Sequence, residues 1–483
     1  MIWAVVQQVG AQVATMIVFF VLAALLPPRD FGLVGMAGAW LAVLNAFCET
    51  GFGAAVIQRE QLRPDHLSST FGINLVVGLG LTLLGVALSW PAALYFRTPE
   101  LQPVMAVLSL GFGVRAFGLT QAALAQRELR FRALAVRDLV SSIVGGATGI
   151  GLALAGYGVW SLVTMTLVSA VLGTILLWRL ARWRPRRREM SRKAAAELWP
   201  FSSRMLGFNL LKALGQNTDR LIIGPLLGVH ALGLYTLATR AVILPVTTFV
   251  GALGNYMFPR VARLQSERPK VRAVYRAVLI AILNVILPGL VALAVLAPAV
   301  VPLLGSRWNG AVPIVQVLTI AALAQAVIAP VGQLMKGLGR PGWLIIWSIG
   351  FTILTAVALW IGAARGLTGA SIAYVIAHVV ALPLILVIGW RLSGLGLLDL
   401  VKVSWRPAAG AVVLATALAV LSHLLAGHSP PVLVVGALAA GTMYLIALAR
   451  LSPEFTGLAV RELRKLRLSG EEPAAVVAAA PRS

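Results

Sequence analysis

Five basic residues, Arg115, Arg204, Lys212, Arg220 and Arg240, sit inside stretches that are otherwise apolar enough to span a bilayer. Three of them share one stretch, 199–226, with Asn209, Gln216, Asn217 and Asp219. A charge at bilayer depth costs about 2.5–3.5 kcal/mol on insertion scales, so such side chains face water or a partner rather than lipid. On an ideal helix, with Arg204 as zero, Asp219 falls near ~60°, Lys212 near ~80°, Gln216 near ~120°, Asn209 near ~140° and Arg220 near ~160°. These five groups and Arg204 fill less than half the circumference, and Leu206, Leu210, Leu214 and Leu221 take the other side, with Asn217 among them. Lys212 then lies near mid-membrane, with Arg204 and Arg220 about 12 Å to either side of it. A column of cations along a wet face suits an anionic, phosphate-bearing cargo.

Blander pairings are available to most of these groups. Arg204 is near enough to its span's start to snorkel to the surface. Asp219 and Arg240 occupy adjacent antiparallel spans and are expected to pair structurally. Arg115, in mid-span, either pairs with Glu49 or faces Lys212 across a cavity. Arg137 and Asp138 start a span and read as interfacial. Lys212 has no evident partner, which makes it the strongest binding candidate.

The elements that must position these groups are membrane-spanning helices. Of 483 residues 59% are hydrophobic and 12% charged, and the mean hydropathy is +0.90. Apolar runs of about 20 residues recur from end to end. Fourteen spans are predicted, at 3–26, 33–57, 69–96, 103–125, 138–156, 158–178, 199–226, 231–257, 277–304, 312–335, 343–362, 368–390, 407–426 and 432–449. The expected fold class is an all-α polytopic membrane protein, with two pseudo-symmetric six-helix lobes and two C-terminal helices. The chain's start reads as a first span, not a removable signal peptide.

A net charge of +24 would suggest nucleic acid in a soluble protein. Its placement excludes that reading: 31 of the 40 Lys and Arg fall in alternate loops and the tail, against 4 in the opposite loops. The positive-inside rule then puts both termini in the cytoplasm. A single cysteine, Cys48, and five scattered histidines offer neither a disulfide nor a metal cluster, and no cofactor is expected. No phosphate-binding G-x-x-x-x-G-K-[ST] loop, H-E-x-x-H or G-x-S-x-G motif is present.

The chain repeats internally. Phe31-Gly32-Leu33 returns as Leu232-Gly233-Leu234 after 201 residues, and Arg59 falls on Arg260 at the same offset. The turn at Gly156–Ser161 returns at Gly366–Ser371 after 210 residues. Six spans per repeat gives parallel halves related about the membrane normal. The expected divisions are an N-terminal lobe at 1–180, a basic cytoplasmic linker at 181–198, a C-terminal lobe at 199–391, two further spans with an interfacial helix at 392–450, and a cytoplasmic tail at 451–483. Ser393–Trp405 and Phe455–Leu468 read as amphipathic surface helices.

Several stretches carry a family likeness: DFGLVGMAGAWLAVLNAFCETGFGAAVIQR at 30–59, ALAQRELRFRALAVRDL at 123–139, GYGVWSLV at 156–163, NTDRLIIGPLLGVHALGLYTLATR at 217–240 and MFPRVARLQ at 257–265. In this order and spacing the chain resembles the polysaccharide-transporter branch of the MOP (multidrug/oligosaccharidyl-lipid/polysaccharide) superfamily, the Wzx-type flippases of bacterial lipid-linked sugars. The resemblance implies two lobes around a V-shaped cavity and alternating access by rocking. It implies a substrate of undecaprenyl-diphosphate-linked oligosaccharide, moved between leaflets of the bacterial inner membrane for surface polysaccharide biosynthesis. On that reading Lys212, Arg115, Arg204 and Arg220 meet the diphosphate, while Glu49, Asp219 and Arg240 are structural or coupling residues. Partners expected beyond the substrate are membrane lipids, a polysaccharide polymerase and glycosyltransferases.

Three other functions compete. A cation-coupled multidrug or organic-cation antiporter of the same architecture needs cavity acids, and only Glu49 and Asp219 stand against five cations. A membrane enzyme needs acids or histidines clustered at one face, and none are. A scaffold leaves the buried cations without a purpose.

Overall fold

The computed structural model describes residues 10–48, 53, 56–57, 62–181 and 183–424. The described residues are helical and contain no strand. The helices are α1 (Ala11–Leu25), α2 (Pro28–Cys48), α3 (Pro64–Tyr95), α4 (Leu101–Arg127), α5 (Phe131–Leu154) and α6 (Val159–Leu180). Then follow α7 (192–227), α8 (229–263), α9 (Arg268–Val300), α10 (Val312–Gly337), α11 (Pro341–Ala363), α12 (Gly366–Ser393) and α13 (Leu397–Leu424). Eleven stretches are long and apolar enough to cross a membrane, one of them, Asn209–Arg263, spanning the break between α7 and α8. The protein is a multi-pass membrane protein. The span expected at 432–449 and the helix expected at 455–468 lie outside the described residues.

Helix starts and stops follow local chemistry. Pro28 and Pro64 open α2 and α3, where a missing N–H costs nothing. Arg63 precedes α3 in extended geometry, and Asp65 bonds its guanidinium at 3.1 Å, which holds that group above its ordinary pKa. α7 ends at Gly228, whose φ of 84° favours glycine. The turn from α4 to α5 is a Schellman motif: Leu129 N–H donates to Gln126 O and Arg130 N–H to Ala125 O. It recurs 210 residues on, with Gly339 N–H to Lys336 O and Arg340 N–H to Met335 O. The left-handed position is Leu129 (φ 55°) in the first and Gly339 (φ 70°) in the second.

The chain divides into two compact units. Unit 1 holds 1–241, 300–314 and 345–377; unit 2 holds 242–299, 315–344 and 378–483. In unit 1, α3 packs on α4 through small residues. A Cβ at Gly78 would overlap Ala116, and one at Gly85 would overlap the Ser109 hydroxyl. Leu44, Cys48, Leu81 and Phe112 fill the space between α2, α3 and α4. In unit 2, Leu414 and Leu418 of α13 pack on Ala292, Val295 and Leu296 of α9. The surface helix expected at 393–405 and the span expected from 407 form one helix, α13, with Pro407 inside it. Arg272 of α9 pairs with Asp399 at its start, 2.5 Å.

The basic stretch expected at 181–198 as a linker is docked onto the start of α3. Ser68 Oγ donates to Glu189 at 3.0 Å, and Ser69 Oγ donates to the Ser191 carbonyl at 3.1 Å while accepting Ser191 N–H at 2.8 Å. Glu197, already on α7, lies 3.2 Å from the buried His66 ring and 3.6 Å from Arg63.

Within unit 1 the starts of α2 and α8 meet backbone to backbone. A Cβ on Gly32 would overlap the Val229 carbonyl, and a Cβ on Gly233 would overlap the Pro28 carbonyl. Each partner is the other's equivalent under the 201-residue shift, so the contact is reciprocal. Gly35 faces Thr236, its own equivalent, with the hydroxyl 3.0 Å from where a Cβ would sit. Close approach of this kind brings Cα–H groups onto carbonyl oxygens. Beside it, the fully buried Trp308 donates its indole N–H to Ala23 O at 2.7 Å and packs edge-on against Phe31, 5.4 Å between centroids. Arg307 donates to Ala24 O.

Candidate substrate-binding face

α7 carries the densest polar sequence in the membrane, and the structure divides its polar groups in two. Toward its glycine-capped end, Asn217 is buried, donating to Ala213 O at 2.8 Å and accepting from Arg220 at 3.2 Å. Asp219 accepts the backbone N–H of Arg220 at 2.8 Å. The half-buried Arg220 keeps its Nε without a partner. The buried hydroxyls of Tyr235 and Tyr374 lie within the electrostatic reach of Asp219 and Arg220. Arg220 and Arg240 are near enough to repel one another.

The Asp219–Arg240 ion pair expected from the sequence is not formed. Arg240 instead lies over the Phe19 ring, 5.5 Å from its centroid. Phe19 stacks edge-on against Phe31 at 5.0 Å, and Phe31 against Trp308. Arg240 therefore ends an aromatic row, where a guanidinium gains from the ring quadrupole. The physical reason is the neighbour: α1 brings a ring to Arg240, while Asp219 is taken up by the N–H next to it.

Two turns away, about 12 Å along α7 from Arg220, the environment changes. Lys212, Gly215 and Gln216 are exposed. A Cβ at Gly215 would stand 3.0 Å from Thr352 Oγ1 of α11, so the helix is held on one side and open on the other. Lys212 has no hydrogen-bond or ion-pair partner among the described residues. Arg115, at the middle of α4, is likewise exposed and without one. Its neighbours are committed elsewhere: Ala116 faces Gly78 of α3, and Val114 O accepts Thr174 of α6. No bond joins Arg115 to Lys212. Arg204 lies on α7, but its side chain is outside the described set, as is Glu49 altogether. Arg137 and Asp138 pair with each other, 2.8 Å for the closest Nε contact.

Unit 2 contains a site that charge-based reading passes over. Thr247, Gly251, Gly254, Gln325 and Gln333 line a cavity of about 180 Å³ between α8 and α10. The Gln325 Oε1 is buried and has no donor. Gln325 and Gln333 are eight residues apart, which places them on one helix face. That spacing was a signal available in the sequence, but uncharged amides do not announce themselves in an apolar chain. No cluster of metal-ligating side chains occurs among the described residues.

α7 thus carries one exposed cation, Lys212, and a part-buried polar cluster around Arg220. The protein resembles transporters in fold. It superposes on the lipid II flippase MurJ in an inward closed conformation with TM-score 0.73 at 12% identity, covering 96% of this chain and all of that one. An inward-facing multidrug resistance MATE transporter of the MOP superfamily gives 0.65 at 17% identity, covering 81% and 98%. In sequence, the succinoglycan biosynthesis transport protein ExoT of Rhizobium meliloti is 26% identical over 435 residues, 89% of this chain and 87% of that protein. Residues 21–313 match the family model described as polysaccharide biosynthesis protein, and the chain belongs to that family, in the polysaccharide-transporter branch of the MOP superfamily.

Proposed function

We propose that this protein is a flippase that carries undecaprenyl-diphosphate-linked oligosaccharide from the inner to the outer leaflet of the bacterial cytoplasmic membrane, for surface polysaccharide assembly. The observation that carries the reading is the pair Lys212 and Arg115. Both are full charges in mid-helix, exposed, and without carboxylates among the described residues. A diphosphate offers what they lack, and charge-assisted hydrogen bonds to phosphate are the strong ones. Arg220 adds positive potential from within its network, and Arg204 lies on the same helix. The basic loops face the cytoplasm on this reading, with both termini there, and the lobes at 1–180 and 199–391 rock in alternating access. The glycine contact of α2 with α8 then lies at the outer end and must part for release.

Reconstituted liposomes containing labelled lipid-linked sugar test the proposal. Accelerated translocation is expected for the wild type, and its absence under every ion gradient would refute the function. Lys212→Ala is expected to abolish surface-polysaccharide export at wild-type protein level, and Arg115→Ala to reduce it. Normal export by both variants would remove the site.

The antiporter alternative finds less support. Of its two required acids, Asp219 is engaged by the Arg220 N–H, and no exposed acid accompanies Lys212 on the described part of α7.

A further inference from the structure

Where α4 turns into α5, and where α6 ends, a groove of about 460 Å³ opens on unit 1. Its floor is Ala133, Val136, Val140 and Leu176. Its mouth carries Arg130, Arg132, Arg137 and Arg179. Val136 and Val140 are exposed, as are Arg132 and Arg179. Arg130 reaches across the mouth to donate to Leu180 O at 2.9 Å, so the mouth is braced. Asp138 is bound to Arg137, Glu128 stands 3.7 Å from Arg130, and Arg132 is itself engaged. Four permanent positive charges thus outnumber two negative ones.

The polarity is directional. Every charge stands within two turns of a helix end; on α5 the floor continues past them to Val140, and on α6 it is Leu176, one turn from the end. Only a molecule with an anionic head and a hydrocarbon tail complements both parts. The comparable ends in unit 2 differ. There Arg268, Arg340 and Arg391 surround a pocket with Gln265 and Ser266 in its lining.

We propose that the groove of α5 and α6 binds an anionic phospholipid of the leaflet at that end, its phosphate on the arginines and its upper acyl carbons over Val136 and Val140. Guanidinium forks match phosphate oxygens, and arginine stems lie comfortably on apolar surface. The site lies on helices apart from Lys212 and is occupied by bulk lipid, independent of the cargo.

The test uses the purified full chain washed with mixed phosphatidylglycerol and phosphatidylcholine, with retained lipid quantified by mass spectrometry. Wild type is expected to retain phosphatidylglycerol preferentially. Arg132→Gln with Arg179→Gln should lower that retention by about fivefold for each arginine removed. Val136→Trp, which fills the floor and leaves every charge, should lower it as well. Arg340→Gln with Arg391→Gln should leave it unchanged, and all three proteins should keep the wild-type melting temperature. Wild-type retention by the groove variants, equal retention of phosphatidylcholine, or equal loss in the unit 2 control would each overturn the proposal. Preferential capture of undecaprenyl diphosphate through the same residues would also overturn it, assigning the groove to cargo.

Discussion

The two ends of unit 1 are built on opposite principles. At the arginine-poor end, α2 and α8 touch through Gly32 and Gly233 with no room for a methyl group, and Trp308 is wholly buried beside them. At the basic end, helices finish in grooves rimmed by arginines, and even the turn at Leu129 is exposed. One end is specified by what it excludes, namely side chains and water. The other is specified by charge and is left exposed. The glycines and arginines supply this asymmetry with different physics: close packing at one end, electrostatics at the other.

The comparison can be broken most severely at Trp308. Trp308→Ala removes a fully buried ring and its bond to Ala23, and should cost about 3–5 kcal/mol, read as a drop in melting temperature. Trp308→Phe keeps most of the packing and should recover much of the loss. Gly233→Ala comes next. In an ordinary helix Gly→Ala stabilises by about 1 kcal/mol. Here the methyl group would overlap the Pro28 carbonyl, so a destabilisation of about 1–3 kcal/mol is expected instead. A stabilised Gly233→Ala protein would show that the two helix starts do not meet.

At the other end the same class of change should help. Leu129 is exposed and left-handed, where an L side chain costs about 1–2 kcal/mol. Leu129→Gly is expected to be stabilising or neutral despite the extra chain entropy of glycine, by analogy with Gly339 in the matching turn. A loss beyond about 1 kcal/mol would mean that the Leu129 side chain is held by something. Lys212→Ala should show the smallest effect on stability, within about 0.5 kcal/mol for an exposed side chain, while export is lost. Opposite signs for Gly233→Ala and Leu129→Gly would be the sharpest statement of the difference between the ends.

Much of this was legible beforehand. The spans at 103–125 and 312–335 correspond to α4 and α10, and the glycine turns at 156 and 366 recur with φ of 84° and 77°. Hydropathy and the positive-φ requirement act locally, so the chain records them. The docked stretch at 186–197 was not legible, because its partners are the hydroxyls of Ser68 and Ser69, about 120 residues away. Nor was the fate of Arg240, since nothing near it in sequence names Phe19.

Sequence alone determined that this chain lies in a membrane, that its basic residues gather in alternate loops, and that α7 has one polar face. Each of these follows from transfer free energy and helical period, which need no knowledge of neighbours. Tertiary structure decided which helix stands opposite each face: that Gly32 meets the Val229 carbonyl, that Arg240 meets a ring rather than Asp219, and that Lys212 is left exposed. A helix's period fixes the direction of a side chain but not what waits there, and contact energies depend on what waits there.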